Sequence, residues 1–243
     1  MKKIILTLTA IGIIFSSCKK DKVIATDITI NFTQTLDGSD LITDSIVYTN
    51  EAGEDYDIQT LKYIISDITL HTENGSNLQL DEIHFIDIYD PSTFSFTYNA
   101  LPNNNYTSIS FDMGLDSTKN ISNKYINEDF HPSMFWPAPN GGGYHYMKLE
   151  GAYNNDSTFY NTHTGGTMGG DYSFKNTKTV YLKVDDNLGN ISININMEIN
   201  NWYQTPNEIE FSNYGMGIMM NMMMQMDIQM NGRTDVFTIT VDK

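Results

Sequence analysis

The chain has 243 residues, with 14 Lys or Arg against 30 Asp or Glu, for a formal net charge of −16. Such a surface repels phosphate backbones and anionic lipid head groups, which argues against nucleic-acid binding and suits a cationic partner or a metal cation. A single cysteine in the whole sequence leaves neither a disulfide framework nor a thiolate metal cluster to consider.

Residues 1–18, MKKIILTLTAIGIIFSSC, have the pattern of a bacterial lipoprotein signal. Lys2 and Lys3 form the positive end, and the apolar stretch Ile4 to Phe15 is too short for a permanent transmembrane helix. Ser16 and Ser17 precede Cys18, the expected lipidation site. The expected organisation is a signal peptide over 1–17, a lipidated tether over 18–26 and a single domain over 27–243. Removing 1–17 takes two of the 14 basic residues and none of the 30 acidic ones, so the mature formal charge would be −18. Lys19, not Asp, follows the cysteine, so the expected location is the outer membrane. The protein would face the periplasm or the cell surface and touch the membrane only through its anchor.

Strand signals dominate the remainder of the chain. Residues 27–33, DITINFT, alternate apolar and polar. LKYIISDITLHT (61–72) and LQLDEIHFIDIY (78–89) flank ENGSN, whose Asn-Gly suits a hairpin turn. Further strands are expected at 106–114, 143–153, 157–163, 178–184, 190–199 and 234–241, and DDNLGN (185–190) reads as a hairpin turn. About nine strands separated by Gly, Asn and Pro turns predict a mainly β fold, an antiparallel β-sandwich.

Two irregular segments interrupt the strands. Residues 115–142 form a long connection rich in aromatics, and loops of that length are often functional. In 162–173, THTGGTMGGDYS, four glycines surround His163 and Met168. His131 and His163 lie in these two segments, with His145 on the strand between them and Trp136 five residues after His131. Neutral imidazole is a common ligand for copper or zinc. His71 and His84 sit within strand signals and read as hydrogen-bonded strand histidines.

Near the C-terminus, GMGIMMNMMMQMDIQMNG (215–232) holds eight of the 14 methionines. Met216, Met219, Met223, Met226 and Met230 are spaced for one face of a helix of roughly four turns. Two readings stay open for this Met-rich helix. One is core packing by a flexible side chain; the other is a set of soft thioether ligands that would select Cu(I). No nucleophile elbow, zincin motif, phosphate loop or haem-attachment motif is present, and no enzyme activity is expected.

Taken in order, LKYIISDITL, FIDIYDP, YTSISFDMGLDS, HPSMFW, GYHYMKLEG, FYNTHTGG and NGRTDVFTI resemble the MbnP-like family of exported, copper-associated lipoproteins common in Bacteroidetes-type bacteria. The resemblance implies a sandwich with a site at one end, where Cu(I) is held by histidines near a tryptophan. It also implies that the tryptophan can be oxidised to kynurenine by a separate di-haem peroxidase-type partner. Carried over, Trp136 is the candidate for modification, with His131 and His163 as candidate ligands. His145 stands where relatives carry an aromatic or aliphatic residue and reads either as a replacement ligand or as a strand residue. Met168, Met216, Met219 and Met220 are candidate site-lining residues on the strength of their soft thioethers, not of the resemblance. Relatives carry W-x-W before the Gly-Tyr, whereas this chain reads WPAPNGGGY, with Ala138 at the second place. The implied function is copper acquisition or handling, in which an outer-membrane transporter is a further potential partner. The alternative is a metal-free β-sandwich module that recognises a glycan, a peptide or an outer-membrane protein through Phe130, Phe135, Trp136 and Tyr144.

Overall fold

A computed structural model describes residues 26–45, 48–154, 158–185, 189–214 and 217–242. Cys18, the rest of the tether up to residue 25, and Met216 lie outside these residues. The described strands are β1 (Thr26–Leu36), β2 (Ser39–Asp40), β3 (Tyr48–Thr49), β4 (Asp55–Tyr56), β5 (Thr60–Thr72), β6 (Asn77–Asp87), β7 (Ser95–Leu101) and β8 (Asn104–Met113). They continue with β9 (His145–Tyr153), β10 (Thr158–Gly165), β11 (Phe174–Val184), β12 (Ile191–Glu198) and β13 (Phe237–Asp242). Three short helices are α1 (His131–Met134), α2 (Phe211–Tyr214) and α3 (Met222–Gly232).

The strands form two sheets. In one, β13, β12 and β1 run side by side, with β2 and β7 on the other edge of β1. In the other, β5 is the spine. Its one edge pairs with β6 and its opposite edge pairs first with β9 and then with β8, which in turn carry β10 and β11. Ile28, Ile30 and Phe32 of β1 and Ile191, Ile193 and Ile195 of β12 are buried, as alternation requires. They share one core with Leu61, Tyr63 and Ile65 of β5. This is the expected mainly β sandwich.

The architecture departs from the sequence expectation in three places. First, β1 and β12 pair in parallel, Ile28 opposite Ile191 and Thr35 opposite Glu198, so the sandwich is not wholly antiparallel. Second, the hairpin expected at 185–190, of which 186–188 lie outside the described residues, does not join paired strands. β11 belongs to the sheet of β5 and β12 to the sheet of β1. Third, β7 has no counterpart among the expected strands. It is an edge strand with mostly exposed residues, and its apolar alternation is correspondingly weak.

The middle of β5 is buried on both faces. Ile65 faces the sandwich core, whereas Ile64 packs with Leu115, Phe130, Met134, Tyr144 and Tyr146. The long connection 115–142 therefore folds back as a cover over the outer face of this sheet. Asn120 and Ser122 fasten it: Tyr144 N donates to Asn120 Oδ1 at 2.7 Å, and Gly143 N donates to Ser122 Oγ at 2.8 Å. Trp136 N donates to Gly143 O at 2.9 Å, closing the loop on itself.

Among the described residues no helix is long and apolar enough to cross a membrane.

Candidate metal centre

β9 and β10 pair antiparallel, with His163 opposite Lys148 and Asn161 opposite Glu150. Side chains of cross-strand neighbours share a face. His163 and Glu150 accordingly meet: His163 Nε2 lies 2.6 Å from Glu150 Oε1, and Lys148 Nζ lies 3.4 Å from the same oxygen. The imidazole and the ammonium hold Glu150 down at about 2, against the burial that opposes ionisation.

The register slips at the end of this pair. Thr164 pairs with Met147, yet Gly165 pairs with His145, so Tyr146 is an extra residue on β9. An irregularity of this kind re-aims a side chain. Here the ring of His145 stands edge-on to that of His163, with centroids 5.0 Å apart, and also meets Trp136 edge-on at 4.6 Å.

Trp136 is fully buried, and its Nε1 donates to Asn140 O at 3.1 Å. A Cβ at Gly165 would fall 2.6 Å from Trp136 Cε3, so only glycine lets the indole lie against this strand end. The glycine-flanked histidine and the tryptophan are thus linked through the ring of His145.

The nitrogen atoms are differentiated by their partners. His145 Nδ1 is 3.1 Å from Met134 O, which fixes the proton on that nitrogen. Its Nε2 has no hydrogen-bond partner among the described residues. Burial, with the nearby His163 adding to it, lowers the His145 pKa from 6.5 to about 3, so this imidazole is neutral at ordinary pH. His163 Nε2 faces Glu150, and its Nδ1 lies 3.4 Å from Met219 Sδ.

Met219 is positioned by its own backbone. It lies in a 3₁₀ turn, Ile218–Met220, and its carbonyl accepts from Thr167 Oγ1 at 2.9 Å. Buried Gln225 of α3 then ties the parts together. Its Nε2 donates to His163 O at 2.8 Å and to Ile218 O at 3.2 Å, and its Oε1 accepts from Gly165 N at 3.2 Å.

His131 is not brought to this group. It opens α1, and only the far end of that helix, through the Met134 carbonyl, reaches His145. Its Nδ1 lies 3.0 Å from Tyr144 OH and its ring packs on Phe135 and Tyr144. Met168 sits with φ +53° in an exposed turn and Met220 is exposed beside Met219. His71 and His84 are hydrogen-bonded strand histidines as expected, the first to Asn77 and Ser110, the second to Asp81 and Thr93. The aromatic platform of the metal-free reading does not form: Phe130, Trp136 and Tyr144 are all buried.

The methionine stripe is not core either. α3 starts only at Met222, because Asn221 caps it by accepting from Met223 N and Met224 N. Its buried residues are Gln225, Ile228, Asn231 and Gly232, while Met223, Met226 and Met230 face solvent. Glu150 and Gln225 escape sequence reasoning. A Glu two residues beyond a Lys on a strand, and a Gln among methionines, carry no signal until the β9–β10 register is known.

A second cluster lies elsewhere. Carboxylates of Asp67, Asp112 and Asp116 converge, but lysines already accompany them: Lys119 Nζ sits 2.6 Å from Asp67 and 3.2 Å from Asp116, and Lys175 Nζ 3.5 Å from Asp112.

Comparison with known proteins agrees with this architecture. The chain's fold is similar to that of MbnP from Methylosinus trichosporium, with a TM-score of 0.56 at 9% identity, over 91% of this chain and 100% of that one. At that identity the likeness establishes the fold alone. Proteins of curated function give no match. The sequence profile of the MbnP family matches residues 25–224, most of the chain, and the protein belongs to that family.

Proposed function

We propose that this protein binds Cu(I) through His145, His163 and Met219 and acquires or hands on the ion outside the cytoplasm. The observation that carries the reading is the donor set. One imidazole is kept neutral with Nε2 unpartnered, and a second faces a thioether with no proton required between them. Neutral nitrogen and thioether sulfur favour a soft monovalent ion over calcium or magnesium, which need oxygen ligands. Glu150 fits the same reading, because a carboxylate on the far nitrogen of a ligating histidine fixes its tautomer and raises its basicity.

In this reading Trp136 lines the site behind His145. Its conversion to kynurenine by a di-haem peroxidase-type partner would show as a mass gain of about four daltons on the peptide that carries it. The chain is not an enzyme on this account. Anchoring through an acylated Cys18 in the outer membrane, facing the periplasm or the surface, would place it beside a transporter that takes the ion onward.

The test is copper content of the protein from its native host, followed by competition with a chromophoric Cu(I) chelator. Wild type should retain one tightly held equivalent, and the His145→Ala/His163→Ala double variant should lose it. Equal retention by the two proteins would remove the assignment.

A further inference from the structure

The row of methionines on α3 is left over from the site just described. Met222, Met223, Met226 and Met230 are 54%, 72%, 52% and 44% exposed, and Met220 beside them is 61% exposed. At about 100° per residue, the four on α3 fall within an arc of about 100°. That arc lies opposite the buried face of Gln225, Ile228 and Asn231. The usual amphipathic order is inverted, since amides point inward and large apolar side chains outward. The inward amides are satisfied: Asn231 Nδ2 donates to Trp202 O at 2.8 Å and to Asn207 O at 2.7 Å.

Exposed apolar side chains gain nothing from burial here, so packing does not account for them. What methionine offers beyond leucine at such a position is a soft sulfur lone pair, available without deprotonation. The spacing suits shared binding. Met222 and Met226, Met223 and Met226, and Met226 and Met230 are three or four residues apart, with Cβ atoms ~5–6 Å from each other. Flexible thioethers at that separation can converge on one cation.

The row also begins at the pocket. The turn that carries Met219 runs through Asn221, the cap of α3, directly into Met222, and Gln225 in the first turns holds the His163 carbonyl. From Met222 to Met230 the row extends ~12 Å along the helix.

We propose that this thioether row is a second, weaker Cu(I)-binding surface that collects the ion and passes it to Met219 and the histidine pair. Each transfer forms one copper–sulfur bond as another breaks. The ion stays Cu(I), and no electron or proton moves. The delivery step rests on the pocket being the Cu(I) site; binding to the row does not.

The probe is Ag(I), a soft, redox-silent ion, titrated into the full chain carrying ¹³C-methyl methionine, together with chelator competition using Cu(I). Methyl signals of Met222, Met223, Met226 and Met230 should shift after the first equivalent is taken up. The Met222→Leu/Met223→Leu/Met226→Leu/Met230→Leu variant keeps apolar volume on an exposed face. It should keep the tight equivalent, lose the weaker ones, and fill from the chelator roughly tenfold more slowly, because local ion capture is gone. Unmoved α3 methyl signals, with the tight equivalent present, would overturn the row and leave the pocket standing. Shifting α3 methyls in wild type without a tight equivalent would leave the row standing and remove the pocket. Equal equivalents and equal filling rates in the variant would overturn the proposal outright.

Discussion

The Nδ1 of His163 and the Sδ of Met219 lie 3.4 Å apart although 56 residues separate them in the chain. That approach is fixed from both sides. β10 carries the histidine, paired along its length to β9, and the methionine turn is pinned by Thr167 and Gln225. The ring nitrogen and the thioether are thus held face to face by backbone restraints. In the proposed function a soft cation binds between them, with Nδ1 in its unprotonated form.

Glu150 should matter for affinity without touching the ion. Its oxygen is 2.6 Å from His163 Nε2, and replacing a partner of this kind costs roughly 10–100-fold in metal affinity. Glu150→Gln is expected to bind Cu(I) that much more weakly, as measured by chelator competition, with an unchanged far-ultraviolet dichroism spectrum. Wild-type affinity in this variant would mean that the Glu150 bond does not orient a ligand.

The three loop and strand histidines should separate cleanly. His131→Ala is expected to leave Cu(I) affinity within about twofold, since its imidazole is engaged with Tyr144 and not with the pair. His145→Ala should weaken binding by a decade or more. The reverse ranking would move the site to α1.

Gly165 tests the contact between strand and indole. An alanine there places Cβ 2.6 Å from Cε3 of the fully buried Trp136 ring. Overpacking of this sort costs about 1–3 kcal/mol, so Gly165→Ala should lower the thermal midpoint by several degrees. An unchanged midpoint would show that the indole can move aside.

Asp116 sets part of the acid limit of stability. Burial alone would raise its pKa. Hydrogen bonds from Thr118 and Lys119 outweigh that and bring it to about 2, from an ordinary 3.8. A carboxyl lowered on folding contributes stability that is present above its unfolded value and fades as pH falls through its folded value. Asp116→Asn should therefore be less stable than wild type above about pH 4 and should flatten the decline between about pH 4 and 2. Buried Asp112 is pushed the other way, chiefly by burial, and the Asp116 charge adds to that push, so Asp116→Asn also relieves Asp112 in part. Parallel pH–midpoint curves for the two proteins would contradict the assignment.

The sequence revealed local features and concealed long-range ones. The hairpin of β5 and β6 was legible, because alternation on both sides meets an Asn-Gly whose glycine takes φ +84°. The parallel match of Ile28 with Ile191 was not, because nothing near either residue encodes a partner so far away in the chain. His163 stood out through its glycines, and His145 through its position between two irregular segments. Their meeting depends on the slipped register at Gly165, which no composition signal marks. The α3 methionines had a clear helical period, yet period alone does not say which face is buried. Here the polar Gln225 and Asn231 turn inward because they have backbone partners to satisfy.

The most direct test of the account is the copper X-ray absorption spectrum of the protein loaded with one equivalent of Cu(I). Wild type should show imidazole scattering from two histidines together with one sulfur, and Met219→Leu should keep the imidazoles and lose the sulfur. A wild-type spectrum without imidazole scattering, or one unchanged in the His145→Ala/His163→Ala protein, would contradict it.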